Sequence, residues 1–197
     1  LVAGYVVTCI GDAGEFIYKR SRRETSLADR AAEHTLKHSR TSYKTLDFSP
    51  LGSDERQYCS PGFNLPIGSL MRSMYGTYPE YHTSLDNKTF ISFEAMAESV
   101  EMYLKIVKTL EANRIYKNLF PYGEPQLGKR GLYETLGRNT IPELSSAVFW
   151  LLNSADGEHD LLWIAEKSGY GIELLDKAAQ ACLEAGIIEE YRVPSSE

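Results

Sequence analysis

The segment Tyr78-Pro-Glu-Tyr-His-Thr-Ser-Leu-Asp86 holds the strongest candidate for metal chemistry in the chain. It follows an apolar run at 65–71 that is typical of a buried strand. Ligands in open α/β sheets bind in loops beyond the carboxyl ends of strands, so His82 is placed where it could bind a metal ion. A carboxylate such as Asp86 can fix the tautomer of a metal-bound imidazole. The alternative is a loop histidine that makes only local hydrogen bonds.

A second polar segment, 52–62, lies between two apolar runs. Asp54 could orient a metal-bound water or a substrate amine there. Arg56 could bind a substrate carboxylate, and Tyr58 and Tyr81 could line a substrate pocket. The alternative is a solvated turn with an internal Asp–Arg pair, beside tyrosines that serve only in packing.

Three stretches resemble the closing third of co-catalytic zinc aminopeptidases. They are Gly-Ser-Asp-Glu-Arg-Gln (52–57), Pro-Gly-Phe-Asn-Leu-Pro (61–66) and Tyr-His-Thr-Ser-Leu-Asp (81–86). Nearly the whole chain is similar to a narrower group, the bacterial aminopeptidase-like proteins that carry a C-terminal winged helix and are associated with polysaccharide biosynthesis. The stretches that fit this group are 11–12, 21–23 and 124–133.

This resemblance implies a zinc site with His82 as a ligand. It makes Asp54 an active-site acid near the metal, and Asp86 a residue that supports a ligand or caps a helix. The implied reaction is attack on a peptide or amide carbonyl by metal-activated water. The family's other ligands and its general base correspond to positions before Leu1. We therefore expect the chain to be a C-terminal fragment that is inactive alone.

Two departures from the family pattern bear on the number of metal ions. Glu55 stands where the family has a histidine, and Asp12 lies past Gly11, whereas the family's ligand aspartate comes before the glycine. Either Asp12 ligates through a shifted turn, or the second zinc site is lost. We favour one zinc ion. The competing hypothesis is a catalytically silent aminopeptidase-fold protein that binds a peptide, a sugar or a partner.

The pattern of apolar runs and turn residues predicts an α/β fold. We expect part of a three-layer aminopeptidase-like (phosphorylase/hydrolase-like) domain at 1–122, a linker at 123–140 and a winged helix-turn-helix domain at 141–197. In the first domain the predicted strands are 5–10 (central and buried on both faces), 43–48 and 65–71, and the predicted helices are 27–38, capped by Ser26, and 93–118, capped by Ser92. In the second domain the predicted helices are 142–153, 160–168 and 172–185, and the predicted strand is 187–193.

Charge separates the two domains. Lys and Arg balance Asp and Glu at 15 each over 1–127, whereas 128–197 carries 6 basic and 12 acidic residues. Nucleic-acid affinity comes mostly from basic groups on phosphates, so we expect no nucleic-acid binding. No apolar run is long enough for a membrane span. The three dispersed cysteines suit a reducing compartment, so we expect a cytoplasmic protein, which could form a homo-oligomer.

Overall fold

A computed structural model describes residues 1–130, 132 and 142–191. The chain divides into two compact units, Leu1–Leu110 and Glu111–Glu197. The division falls before residue 122, where the sequence analysis ended the first domain. The difference arises because residues 115–118 form a strand that pairs within the second unit.

The first unit is built on a four-stranded mixed sheet. Its strands are β1 (Gly4–Val7), β2 (Phe16–Lys19), β3 (Tyr43–Leu46) and β4 (Ile67–Met71), in the order β1-β4-β2-β3. β4 runs parallel to β1 and antiparallel to β2, and β2 runs parallel to β3. Every residue of β4 is buried, so β4 forms the centre of the sheet.

Within this chain β1 is an edge strand, whereas the sequence predicted a central one. Within the described residues β1 pairs only with β4, and Val7 is 57% exposed. The strand also ends early, because Cys9 adopts a positive φ of 48° that breaks the extended backbone. A continuous apolar run cannot by itself distinguish an edge strand from a central one.

The first helix follows its sequence signals closely. α1 spans Leu27–His38, and Ser26 caps it as predicted. The Ser26 hydroxyl accepts a hydrogen bond from the Asp29 amide, and the Asp29 side chain accepts one from the Ser26 amide, which completes a capping box. α2 is a single turn, Glu55–Tyr58, and α3 spans Phe93–Ala112.

α3 differs from its prediction in length and in orientation. It ends at Ala112 and not at 118. Val100, Leu104 and Val107 recur at helical spacing, which predicts that they face the core, but these side chains are about half exposed. The buried face is formed by Ala95, Ser99, Met102, Ile106 and Thr109. Small and hydroxyl side chains allow a close approach: the Ser99 hydroxyl donates to the Ile10 carbonyl at 2.9 Å.

The described part of the second unit contains three α-helices and a three-stranded antiparallel sheet. The helices are α4 (Pro142–Ser154), α5 (Leu161–Ser168) and α6 (Ile172–Glu184). The strands β5 (Ile115–Asn118), β6 (Asp156–Asp160) and β7 (Ile188–Glu190) lie in the order β6-β5-β7. In the predicted linker, Leu127–Arg130 forms a 3-10 helix, and 131 and 133–140 lie outside the described residues. No helix among the described residues is long and apolar enough to cross a membrane.

His34, on α1, provides a pH test of the first unit. Its side chain is 6% exposed, and burial, with the nearby His38, Lys37 and Arg30, lowers its pKa from 6.5 to about 4. Below pH 6.5 His34 becomes protonated in the unfolded chain but stays neutral in the folded one. The free energy of unfolding therefore falls as the pH drops from 6.5 towards 4. We expect a loss on the order of 2 kcal/mol.

The measurement can be made one unit at a time, because each unit contains a fully buried cysteine, Cys59 or Cys182. Labelling with a thiol reagent that reacts at acidic pH, over a urea gradient, should show Cys59 losing protection at lower urea at pH 5 than at pH 7. In His34→Leu this pH dependence should shrink. An equal pH dependence in the variant would contradict the assignment.

Candidate functional site

The carboxyl ends of β1 and β4 meet at one edge of the sheet, because the two strands are parallel neighbours. The loops that follow them are tied together. The Arg72 amide donates to the Cys9 carbonyl at 2.9 Å. The Asp12 carboxylate accepts from the Gly14 amide at 2.8 Å, the Ser73 amide at 3.2 Å and the Ser73 hydroxyl at 2.6 Å. The buried Asp12 therefore joins both loops at the position where α/β sheets bind ligands.

A row of aromatic contacts leads from this edge to His82. The Tyr78 hydroxyl donates to Cys9 Sγ at 3.4 Å. The Tyr78 ring meets the Tyr81 ring edge-on at 5.6 Å between centroids, and Tyr81 stacks on His82 at 4.0 Å. His82 itself is exposed and has a positive φ of 58°, an uncommon backbone state that histidine tolerates better than most residues.

The electrostatics of this row centre on Tyr78. Burial, the hydrogen bond to Cys9, and the charges of Asp86 and Asp12 together raise the pKa of its hydroxyl well above 10. The phenol therefore remains a proton donor at neutral pH.

The second polar segment contains both buried and exposed charged side chains. Glu55 is fully buried, while Asp54 and Arg56 are exposed on α2. Lys19 Nζ, also buried, donates to Glu55 Oε1 at 3.0 Å, to the Tyr75 hydroxyl at 3.0 Å and to the Leu51 carbonyl at 2.6 Å. This group of side chains fixes α2 against the sheet.

Two details show how tightly this group is packed. A Cβ atom at Gly52 would overlap Glu55 Oε1 and the Tyr75 hydroxyl, so a larger residue there would displace these side chains. The other oxygen, Glu55 Oε2, is buried and has no hydrogen-bond partner. Glu55, the residue that the resemblance sets in place of a histidine, therefore lies in the interior.

The structure brings together some predicted site residues and not others. Tyr81 and His82 are in contact, and Asp86 acts on the neighbouring Tyr78. Asp54, Arg56 and Tyr58 share one turn of helix, and Tyr58 is 46% exposed. Among the described residues, the hydrogen bonds, ion pairs and ring contacts do not link this turn to His82. Lys19, Ser73 and the role of Tyr75 were not predicted. The only sequence signal for these residues is that each is a polar residue at the end of an apolar strand or in a loop.

The described residues do not complete a zinc site. No group of three or more His, Cys, Asp or Glu side chains among them is arranged to hold a metal ion. Both Asp12 oxygens already accept hydrogen bonds from the loops. The described chain therefore contributes His82 as a single candidate ligand, and the geometry supports no reaction step through a metal.

Comparison with known proteins finds a matching family for each of the two units. Residues 1–113 match the family described as a domain of unknown function, DUF4910, and residues 114–190 match a winged helix-turn-helix family. A Clostridium acetobutylicum protein, provisionally described as a polysaccharide biosynthesis protein with an aminopeptidase-like domain, is 46% identical over 187 residues, which are 94% of this chain and 43% of that protein.

A crystal structure from the same organism, provisionally described as a peptidase, superimposes with a TM-score of 0.88 at 43% identity. The match covers 96% of this chain and 42% of that one, so the chain spans less than half the length of these relatives. The predicted α/β class, the peptidase-like fold and the winged helix-turn-helix are confirmed. The chain belongs to the DUF4910 family, with a winged helix-turn-helix domain following the family's own domain.

Proposed function

We propose that this chain forms part of a zinc-dependent hydrolase of peptide or amide bonds, with His82 as one zinc ligand. The observation that carries the proposal is the row of contacts from Cys9 through Tyr78 and Tyr81, which holds His82 beside the edge where β1 and β4 end. The aminopeptidase-like relative supports the reaction class. A bound zinc ion would supply Lewis acidity and an activated water.

The chain's own residues would position the ion and the substrate. Tyr81 holds the His82 ring by stacking, and Asp86 is the candidate to support the ligand. On α2, the exposed side chains of Asp54 and Arg56 are free to meet a substrate's amine or carboxylate, with Tyr58 beside them. We assign Asp12 to fixing the loops and not to a second zinc ion.

The remaining ligands and the general base belong, in this proposal, to the part of the protein that matches the rest of the relatives' length. This chain covers 43% of the relative's sequence, so its residues alone would not hydrolyse a substrate. The proposal therefore concerns the protein at the relatives' full length.

Zinc content gives the decisive test. In the protein extended to the length of its relatives, we expect nearly one zinc ion per chain by elemental analysis. His82→Ala should weaken zinc binding by at least about tenfold, because even residues that only support a ligand have effects of that size. His38→Ala, which removes an exposed histidine from α1, is the matched control and should keep its zinc. Zinc retained in His82→Ala would overturn the assignment.

A second candidate is a silent binding protein linked to polysaccharide biosynthesis, as the name of the relative suggests. One specific observation favours it: Glu55 is buried against Lys19 and cannot replace the family's histidine at a metal. Absence of zinc from both the wild type and the control, in a folded protein, would favour this candidate over the hydrolase.

A further inference from the structure

The second unit contains a groove that the proposed hydrolase site does not use. Its volume is about 630 Å³, in the range of small-molecule binding sites. One wall is the segment that follows β5, and the other is the outer face of α4 with the turn into β6. All of the lining residues belong to the second unit.

Two adjacent aromatic side chains form the apolar part of the groove. Phe149 is 43% exposed and Trp150 is 41% exposed, although the opposite face of α4 buries Ala147, Val148 and Leu151. Phe149 and Trp150 therefore lie outside the fully buried face of α4. Exposed aromatic rings that line a concave site offer flat apolar faces to a ligand.

The polar groups of the groove are amides and carboxylates. Asn118 is held in place, because its Nδ2 donates to the Leu152 carbonyl at 2.8 Å and its Oδ1 accepts from the Phe120 amide at 2.8 Å. Asn153 and Glu124 are exposed in the lining. Both can hydrogen-bond a ligand that enters the groove.

Asp156 is already engaged on the groove's other side. Its Oδ1 accepts from the amides of Glu158 and His159, and its Oδ2 lies 2.7 Å from His159 Nδ1. Although burial raises the pKa of Asp156, these hydrogen bonds lower it below its usual value. The carboxylate is thus ionised and rigid, and local hydrogen-bond donors already stabilise most of its charge.

The charge of the lining excludes anionic ligands. The described residues that line the groove include Glu124 and Asp156 but no Lys, Arg or His. Phosphates, nucleotides and acidic peptides would meet two carboxylates and no cation. A strongly cationic ligand is also disfavoured, because Asp156 is engaged by His159 and Glu124 alone would face the added charge.

We propose that this groove binds a neutral oligosaccharide. A sugar ring has one apolar face that can stack on Phe149 or Trp150, and hydroxyl groups that both donate to and accept from the amide of Asn153 and the carboxylate of Glu124. The proposal is independent of the zinc site, and it agrees with the polysaccharide link of the second candidate function.

The test is an array of neutral oligosaccharides, N-acetylated chains included, probed with the extended protein. The tightest-binding trisaccharide is then titrated by calorimetry. Trp150→Ala should weaken this binding by about tenfold, since the lost ring contact is worth roughly 1.4 kcal/mol. Trp150→Phe should retain most of the affinity. Phe63→Ala, which removes an exposed aromatic residue of the first unit, is the matched control and should bind like the wild type.

The outcomes separate the two proposals. The sugar site would be overturned if no sugar on the array gave a signal that is lost in Trp150→Ala. It would also be overturned if tetramethylammonium bound to the groove more tightly than the sugar. His82→Ala should leave sugar binding unchanged, and Trp150→Ala should leave the zinc content unchanged. Failure of the zinc test therefore does not decide the sugar test.

Discussion

Replacing Lys19 by methionine should lower the free energy of unfolding of the first unit by about 3–5 kcal/mol. Lys19 is 1% exposed and its partner Glu55 is fully buried, so the substitution leaves a carboxylate in the interior without its cation. The loss should be large because Glu55 Oε2 already has no partner, and the Tyr75 hydroxyl alone would remain close to Oε1. Protection of Cys59 from thiol labelling over a urea gradient measures the effect.

Two further variants show whether the charge or the packing is responsible. The double variant Lys19→Met with Glu55→Leu should recover most of the loss, because no unpaired charge remains buried. Lys44→Met, on the neighbouring strand β3, removes an exposed ion pair with Glu15 and should cost less than about 1 kcal/mol. Equal effects of Lys19→Met and Lys44→Met would contradict the assignment. Protection of Cys182 reports the second unit in the same sample and should not change.

Replacing Asp29 by alanine should destabilise the first unit by about 3 kcal/mol, the combined result of a lost helix cap and several orphaned donors. Asp29 is 1% exposed. Its carboxylate accepts from the Tyr18 hydroxyl at 2.9 Å, from the Ser21 amide and hydroxyl at 2.7 and 2.6 Å, and from the Ser26 amide and hydroxyl at 3.0 and 2.6 Å.

The controls for this prediction vary charge and exposure. Asp29→Asn keeps one acceptor oxygen and should lose less stability than the alanine variant. Asp47→Ala removes an exposed aspartate that pairs with Arg20 and should cost under about 1 kcal/mol. If Asp29→Ala lowered the free energy of unfolding no more than Asp47→Ala, the prediction would be contradicted. The hydrogen bonds around Asp29 would then not hold the N-terminus of α1 in place. Protection of Cys59 is again the measurement.

The fold class and several helix ends could be predicted because they depend on local chemistry. Ser26 caps α1, and Gly169 ends α5 with a φ of 78°. β6, Asp-Gly-Glu-His-Asp, was missed because it has no apolar residue and is a strand only through its pairing with β5. β2 was missed because its four residues are bounded by charged neighbours. Tertiary pairing decides such segments.

The site was predictable to the extent that its residues are close in sequence. Tyr81 and His82 are adjacent in the chain and in contact in the fold. Lys19 and Glu55 could not be paired from the sequence, because the sheet brings together two segments that are far apart in the chain. The face of α3 was assigned wrongly because the helix has two apolar stripes, and only contact with the sheet selects the one that contains Ser99 and Ile106.

The central position of β4 has a consequence for the order of folding. Gly4 of β1 pairs with Ile67, and Lys19 of β2 pairs with Ser69, so neither strand can pair with β4 until β4 has been synthesised. Only the β2–α1–β3 unit can form earlier, and its two strands leave most of their apolar surface uncovered. Non-local pairing of this kind folds slowly compared with local helical contacts. On the ribosome the nascent first unit should therefore remain open to chaperones until β4 has emerged from the exit tunnel.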